Sequence, residues 1–279
     1  LDTDGYVVQD GQTPYTLVLS DPNAADGAGE RSFINRIGVA GRYSTEEIAD
    51  EFYESAITFF GGTALVPRLH ERLETALARA KSSGRFTVVA TVFDFLNESR
   101  APDSLWPLGA SRETYRSIDL LITDAEEARR LSGRSDPRAA LEVFRSWGVG
   151  AAVITAGADP IHLFASGNAF QRCEPTALPA SAEVRRRAAS LKPTVEHDTT
   201  GCGDNFTGGV LADIALQLRD RPNTAIDLRS AVMWGIASGA AAWFYLGGTY
   251  IESRAGEKRA IVDDFLSAYR AQIGEFGGT

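Results

Sequence analysis

The sequence predicts an α/β protein in which a mostly parallel sheet is covered by helices on both faces. Short strand-like segments alternate with helical patterns along most of the chain, which is typical of parallel sheets. The segment Phe86–Phe93 is rich in β-branched and aromatic residues, as expected of a strand buried on both faces. No repeat, low-complexity tract or linker divides the chain, so we expect residues 1–279 to form one domain.

A hairpin with a long loop is predicted before this alternation begins. Tyr15–Leu19 and Ser32–Ile37 alternate apolar and polar residues, and the loop Asp21–Glu30 between them is rich in Asp, Ala and Gly. Because this hairpin is the only part that breaks the strand–helix order, we expect residues 13–37 to project from the main domain.

The next three elements follow from capping and periodicity. The sequence Ser44–Glu47 is a capping box and predicts a helix that extends to about Glu54. Ala56–Phe60 then has the composition of a buried strand. Apolar residues at helical spacing predict a helix over Leu65–Ser82, which Gly84 ends.

The second half continues the alternation. Strands are predicted at Leu120–Thr123, Ala151–Thr155 and Ile161–Ala165, the last antiparallel to its neighbour. The predicted helices are Ala125–Leu131, Pro137–Trp147, Gly203–Leu218, Ala225–Leu246 and Ile261–Ile273. Arg185–Lys192 is predicted to be a basic, irregular connection.

Charge and cysteine content restrict the function. With 28 Lys and Arg against 37 Asp and Glu, the net charge is −9, which argues against a nucleic-acid or anionic-membrane surface. Cys173 and Cys202 are far apart, so neither a disulfide framework nor a zinc site is expected. The longest apolar stretch, Ala240–Leu246, is too short to cross a bilayer. We therefore expect a cytoplasmic protein.

A glycine turn followed by a helix is the segment most suited to chemistry. Gly201 and Gly203 allow a tight turn and a close approach of ligand to backbone. The unbonded N–H groups and the dipole of the following helix favour a phosphate or a developing oxyanion there. Asp204, in the first helical turn, is either an acid that stabilises the dipole or a general base, and spacing alone leaves both open. The pattern matches neither a Walker A loop nor a dinucleotide fingerprint.

The run Asp198–Gly209 resembles the signature DTTGAGDxFxGG of the ribokinase-like (PfkB) carbohydrate kinases, with Cys202 in place of the usual Ala. The resemblance implies a ribokinase-like three-layer αβα fold with a small β lid. It also implies a sugar kinase that transfers the γ-phosphoryl group of ATP to a carbohydrate hydroxyl. Asp204 would be the catalytic base, and Gly201, Cys202 and Gly203 would form the anion hole.

The same resemblance suggests where ATP and cations bind. Ile122–Gly133 is similar to the family segment N-x-x-E-A-x-x-L-x-G, which implies that Asp124, in place of Asn, and Glu127 lie near ATP and hold Mg²⁺ through waters. The residues that it places beside the nucleotide are Asp124, Glu127, Thr155, Gly157 and Thr199. Those that it implies for a monovalent cation, K⁺ in particular, are Asp198 and Thr200. Pro160 stands where the family usually has a second glycine.

The sugar side is implied by three further matches. Asp94 and Asn97 resemble the family segment D-x-N-x-R, with one extra residue before Arg100. Gly62 matches a glycine turn close to the sugar, and Arg31 matches an arginine of the lid strands. Read alone, these residues are typical of a loop carboxylate, a strand–helix turn and a solvated edge-strand arginine. The lid also implies a homodimer formed through it.

Two other functions remain open at this stage. One is a nucleoside kinase of the same superfamily. The other is a non-catalytic sugar or nucleotide sensor, which is suggested by Asp124 and Pro160, the two positions that depart from the family pattern on the nucleotide side. The matched motifs begin late relative to the family, since the lid-like hairpin is under way by Tyr15. We therefore expect the family's N-terminal segment, with its first βαβ unit and much of the sugar pocket, to be missing.

Overall fold

The computed structural model describes residues 6–21, 30–191 and 199–276. Its strands are β1 Tyr15–Asp21, β2 Glu30–Arg36, β3 Ile57–Gly61, β4 Phe86–Ala90, β5 Leu120–Asp124, β6 Ala151–Thr155, β7 Ile161–Ala165 and β8 Cys173–Leu178. Its α-helices are α1 Pro67–Glu71, α2 Leu73–Ser82, α3 Phe95–Arg100, α4 Ala125–Ser132, α5 Pro137–Ser146, α6 Ala182–Ala188, α7 Cys202–Asp220, α8 Leu228–Ala242 and α9 Glu257–Phe276.

The main sheet contains six strands in the order β3-β4-β5-β6-β7-β8. Strands β3 to β6 are parallel, while β7 pairs antiparallel with β6 and β8 antiparallel with β7. The predicted α/β class with a mostly parallel sheet is therefore confirmed, as is the antiparallel pairing of Ile161–Ala165 with its neighbour. The carboxyl ends of β3 to β6 lie at one edge of this sheet, which we call the carboxyl edge, and their first residues lie at the amino edge.

Alternate residues of the central strands enter two separate cores. Val89 and Leu121 pack with α2, α4 and α5 on one face of the sheet. Val88 and Leu120 pack with α7, α8 and α9 on the other face. Because both faces are covered, the strands are apolar on both sides, as the sequence predicts, and the architecture is three-layered.

Helix α7 is attached at its C-terminal end to the amino edge of the sheet. Ala165, at the end of β7, pairs with Ala151, at the start of β6, so the loop that follows β7 lies at the amino edge. In that loop, the Ala169 carbonyl accepts a hydrogen bond of 2.9 Å from the N–H of Ile226, six residues beyond the end of α7. A 19-residue helix is about 28 Å long, against about 16 Å for a five-residue strand. Its N-terminus therefore extends to the carboxyl edge.

Glycines allow α7 and α8 to pack very closely. A Cβ atom on Gly209 would lie 2.6 Å from the carbonyl oxygen of Trp234 and 2.8 Å from Cβ of Ser238. One on Gly235 would lie 2.9 Å from the Phe206 carbonyl oxygen. No side chain larger than hydrogen fits at either position without moving the helices apart. The crossing point lies in the N-terminal half of α7, close to Asp204.

The first two strands form a separate antiparallel ribbon, which confirms the predicted hairpin. Apolar side chains occur on both of its faces. Leu17 pairs with Ile34 on one face and Val18 with Phe33 on the other, and each of the four is at least half exposed.

Three predicted segments differ from the structure. Ser44–Glu54 forms two short 3₁₀ turns rather than a helix, since Ile48 is extended and its side chain is buried with that of Tyr53. The helix predicted over Leu65–Ser82 is divided at Arg72 into α1 and α2. The connection predicted at Arg185–Lys192 belongs largely to α6, which is held against α9 by an ion pair.

Strand β8 and helix α3 have no counterpart among the predicted elements. Strand β8 contains Pro175, which lacks an N–H to donate and weakens a strand pattern, yet as the edge strand of the described sheet it tolerates proline. None of the described helices combines the length and the apolar character needed to cross a bilayer.

Candidate active site

The turn before α7 is shaped by two glycines, as the sequence predicts. Gly201 has φ +79°, in the left-handed region that favours glycine. A Cβ atom there would lie only 2.4 Å from Cα of Gly248, so the two backbones touch. A Cβ on Gly203 would meet no atom of the described residues within 4 Å, so they leave open space beside its amide.

Among the described residues, two backbone amides at the start of α7 have no backbone partner. The Cys202 N–H donates to the Thr199 carbonyl at 3.2 Å, and the Asn205 N–H donates to the Gly201 carbonyl at 2.8 Å. Between them, the N–H groups of Gly203 and Asp204 have no backbone partner among the described residues. They form a small cradle at the positive end of a long helix, where an anion is favoured.

The Asp204 carboxylate lies in the first turn of α7 and is exposed. It forms no hydrogen bond or ion pair with the part of the chain that the structure describes. Of the other predicted residues here, Thr199 and Thr200 lie exposed just before Gly201. Asp198 falls outside the described residues.

Asp124 and Glu127 form a capping box at the start of α4, directly after β5. The Asp124 carboxylate accepts the Glu127 N–H at 2.7 Å, and Glu127 Oε2 accepts the Asp124 N–H at 3.3 Å. The same Oε2 accepts hydrogen bonds from the hydroxyls of Thr91 and Thr123. Burial and the Asp124 charge raise the pKa of Glu127, and desolvation raises the pKa of Asp124.

Thr155 and Gly157 lie next to this pair at the carboxyl edge. Thr155 ends β6 and pairs with Asp124 at the end of β5. Gly157 has φ +61° and open space where a Cβ would be. The turn is closed by the Asp159 N–H, which donates to the Ala156 carbonyl at 3.0 Å. Pro160 follows the turn and does not interrupt it.

The fold thus brings the predicted nucleotide and catalytic residues to one edge of the sheet. The carboxyl ends of β5 and β6 supply Asp124 and Thr155, and α7 reaches the same edge from its anchor at the amino edge. Ligand sites in open α/β sheets lie at the carboxyl ends of the strands. Within the described residues, no group of three His, Cys, Asp or Glu side chains is arranged to hold a metal directly.

Asp94 is a buried cap rather than a free surface carboxylate. It is 3% exposed and begins α3, where it accepts hydrogen bonds from the backbone N–H of Asn97 at 3.0 Å and from its Nδ2 at 2.6 Å. His70 Nε2 lies 3.9 Å from Asp94 Oδ2, the oxygen that accepts the Asn97 Nδ2 hydrogen bond. The ring of His70 also contacts the Thr63 hydroxyl at 2.9 Å and the Pro107 carbonyl at 3.1 Å. Sequence reasoning missed His70, because its contacts are distant along the chain.

A cavity of about 360 Å³ opens beside this cluster. Its polar lining residues are His70, Glu71, Asp94, Asn97 and Arg100, and no Phe, Tyr or Trp is among the described residues that line it. Gly62 is not among the residues that line it; Gly62 follows β3 with φ +61° and donates its N–H to the Ala90 carbonyl at 3.0 Å. Arg31 lies on β2, opposite Ser20.

Comparison with solved structures identifies the fold as ribokinase-like. A putative ribokinase II from E. coli, in complex with ATP and Mg²⁺, matches with a TM-score of 0.60 and 19% identity over 84% of this chain and 68% of that chain. A ribokinase from Thermotoga maritima matches with a TM-score of 0.56 and 19% identity over 92% and 70%. An adenosine kinase from Anopheles gambiae matches with a TM-score of 0.62 and 19% identity over 86% and 65%.

No curated protein matches the sequence. The model of the pfkB family carbohydrate kinases, however, matches residues 1–252, nearly the whole chain. This match agrees with the resemblance of Asp198–Gly209 to the family signature and with the three-layered α/β architecture. The chain belongs to the PfkB family of carbohydrate kinases, which are ATP-dependent phosphotransferases.

Proposed function

We propose that the protein transfers the γ-phosphoryl group of ATP to a hydroxyl of a carbohydrate, with Asp204 as general base. One observation carries the proposal: an exposed carboxylate without a partner among the described residues stands beside two unbonded amides at the N-terminus of a long helix. Phosphoryl transfer is catalysed mainly by positioning and by stabilising charge on the transferred group. In this arrangement Asp204 accepts the proton of the attacking hydroxyl.

The Gly201–Gly203 turn supplies the anion hole in this proposal. Its donors are the amides of Gly203 and Asp204, which have no backbone partner among the described residues, whereas the Cys202 amide is bonded to Thr199. Cys202 contributes a small side chain to the turn.

The residues at the ends of β5 and β6 fit a nucleotide with Mg²⁺. Asp124 and Glu127 provide carboxylate oxygens, which Mg²⁺ prefers, and Mg²⁺ usually keeps several waters, as the capping geometry here requires. When bound, Mg²⁺ neutralises charge on the phosphates. Thr155, Thr199 and the open turn at Gly157 border the nucleotide. Asp198 and Thr200 are the proposed oxygen ligands of a monovalent cation, K⁺ in particular.

The proposed acceptor site includes the cavity beside Asp94 and Asn97, and the family resemblance adds Gly62 and Arg31 to it. Polar side chains without aromatic rings favour a hydroxyl-rich sugar, because a nucleobase is usually held against apolar and aromatic surface. The likeness to an adenosine kinase supports a second candidate, a nucleoside acceptor. A panel of ketoses, pentoses and sugar acids beside adenosine and inosine, each with ATP, separates the two.

The β1–β2 ribbon is the proposed contact between two copies of the chain. Apolar residues on both faces exceed what a lid over one site needs to bury. Sedimentation of the protein and of a Val18→Ser variant measures this: a dimer that becomes a monomer on substitution supports the contact, and a monomeric parent chain contradicts it.

Asp204→Asn tests the general base. We expect kcat to fall by about 10²- to about 10⁴-fold with folding intact, because the exposed Asp204 carboxylate forms no hydrogen bond or ion pair with the described residues. The matched control is Asp220→Asn, the same change at the exposed far end of α7, which should keep full activity. An Asp204→Asn loss of less than about tenfold would contradict the role.

A further inference from the structure

The side chain of Asn205 uses all of its hydrogen-bonding groups on the glycine turn. Its Nδ2 donates to the Gly201 carbonyl at 2.8 Å and to the Gly248 carbonyl at 2.9 Å. Its Oδ1 accepts the hydroxyl of Tyr245 at 3.2 Å. No donor remains for a ligand, so any effect of this side chain on the reaction passes through the backbone that it holds.

Tyr245 belongs to the segment of residues 245–250, which follows α8 and rests on the turn. Burial raises the pKa of the Tyr245 hydroxyl, which keeps it protonated as a donor. Its ring packs edge-on against Tyr250 at 4.9 Å between centroids. Lys258 of α9 fixes the far side, with Nζ 2.8 Å from the Thr249 hydroxyl and 4.7 Å from the centroid of the Tyr250 ring. The segment is therefore held at both ends.

The Gly201–Gly203 turn and the segment of residues 245–250 pack with their backbones in direct contact. With Gly201 and Gly248 touching, the Asn205 amide spans both carbonyls at once. The Gly201 carbonyl lies in one rigid plane with the Cys202 amide. Fixing that carbonyl therefore fixes the plane from which α7 starts, and with it the direction of the next amides, those of Gly203 and Asp204.

We propose that Asn205 and Tyr245 are positioning residues for phosphoryl transfer, which lock the Gly201–Gly203 turn to the segment of residues 245–250 and so aim the two open amides and Asp204. The proposal rests on the proposed function, since it assigns how that site is held in shape. Preorganised donors act strongly only where charge develops in the transition state. Loosening them therefore lowers kcat more than it weakens ground-state binding.

The test compares Asn205→Ala and Tyr245→Phe with Gln217→Ala. Gln217 is a matched control, because its amide also bridges backbone groups, accepting the Asp227 N–H at 2.8 Å and donating to the Asp227 carbonyl at 3.0 Å, at the opposite end of α7. For each variant, we measure kcat and KM with ATP and the best acceptor, the melting temperature, and amide hydrogen exchange without substrates. Wild type and Asp204→Asn are assayed alongside.

We expect Asn205→Ala to lower kcat by about tenfold to about 10²-fold, with both KM values within about threefold of wild type. Tyr245→Phe, which removes one hydrogen bond, should lower kcat by about fivefold. Exchange should become faster in residues 199–210 and 243–252 in both variants. Gln217→Ala should lower the melting temperature and leave kcat unchanged.

Two results overturn the proposal: a kcat of Asn205→Ala no lower than that of Gln217→Ala at a temperature where both are folded, or unchanged exchange around Gly248 in both Asn205→Ala and Tyr245→Phe. If Asn205→Ala does not fold, Tyr245→Phe decides. If wild type phosphorylates no acceptor, the proposed function fails separately, and the exchange measurement alone decides whether the turn is locked.

Discussion

The open space beside Gly203 allows a mutation that separates chemistry from stability. In Gly203→Ala, the new methyl group meets no atom of the described residues within 4 Å, and the residue is not in the left-handed region. The folded protein therefore accepts it. Alanine is favoured over glycine within a helix by about 0.5–1 kcal/mol, which corresponds to a melting temperature higher by up to about 4 °C for a domain of this size.

Activity should change in the opposite direction. A bound phosphoryl oxygen lies about 2.9 Å from its amide nitrogen, and the methyl group would occupy the space next to that amide. Loss of one donor of this kind costs about 10²- to about 10³-fold in kcat. We therefore expect Gly203→Ala to be as stable as wild type or more so, and slower by about two orders of magnitude.

Gly208→Ala is the matched control. It makes the same change in the second turn of α7, also with no atom within 4 Å, and should raise stability while leaving activity intact. Thermal unfolding and a coupled ADP-release assay on the three proteins measure both quantities. A Gly203→Ala variant with activity within about twofold of wild type would refute the assignment of this amide.

Two further predictions concern pH and packing. Burial and Asp124 raise the pKa of Glu127 above its ordinary value of 4.5, so the stability that comes from protonating Glu127 in the folded protein is complete below that value and is lost as the pH rises through the raised pKa. Between about pH 4 and about pH 8, the melting temperature of Glu127→Gln should therefore fall less than that of wild type. Parallel curves of melting temperature against pH for the two proteins would contradict this prediction. Gly209→Ala should lower the free energy of unfolding by about 1–3 kcal/mol, because its Cβ would lie 2.6 Å from the Trp234 carbonyl; urea denaturation measures this, and an unchanged midpoint would show that α7 and α8 separate freely.

The fold was predictable where burial follows local pattern. Strands such as β4 and β6 are apolar on both faces, so composition alone marks them. The sequence-based predictions are wrong where contacts between residues far apart in the chain determine the local structure. The basic segment in α6 is ordered by Glu183, which bonds Arg187 at 2.6 Å, and by the contact of Arg187 with Asp264 of α9. No local window contains that partner.

The candidate site also has one part that could be predicted from local sequence and another that depends on distant contacts. The glycine turn and Asp204 lie within a few consecutive residues, so their spacing could be read directly. The roles of Asn205 and His70 depend on Tyr245, 40 residues later, and on Pro107, 37 residues later. A lone asparagine or histidine in a sequence carries no sign of such partners, and only the folded chain reveals them.

Helix α7 is attached at the amino edge of the sheet, whereas Asp204 lies at its opposite end. A small rotation about the attachment therefore moves Asp204 much farther than it moves the attached end. Over a length of about 28 Å, a tilt of about 2° at the Ile226 attachment displaces the opposite end by about 1 Å. A displacement of that size is enough to cost about 10²-fold in rate. Angular precision is therefore what the glycine crossing with α8 supplies, at a point close to Asp204.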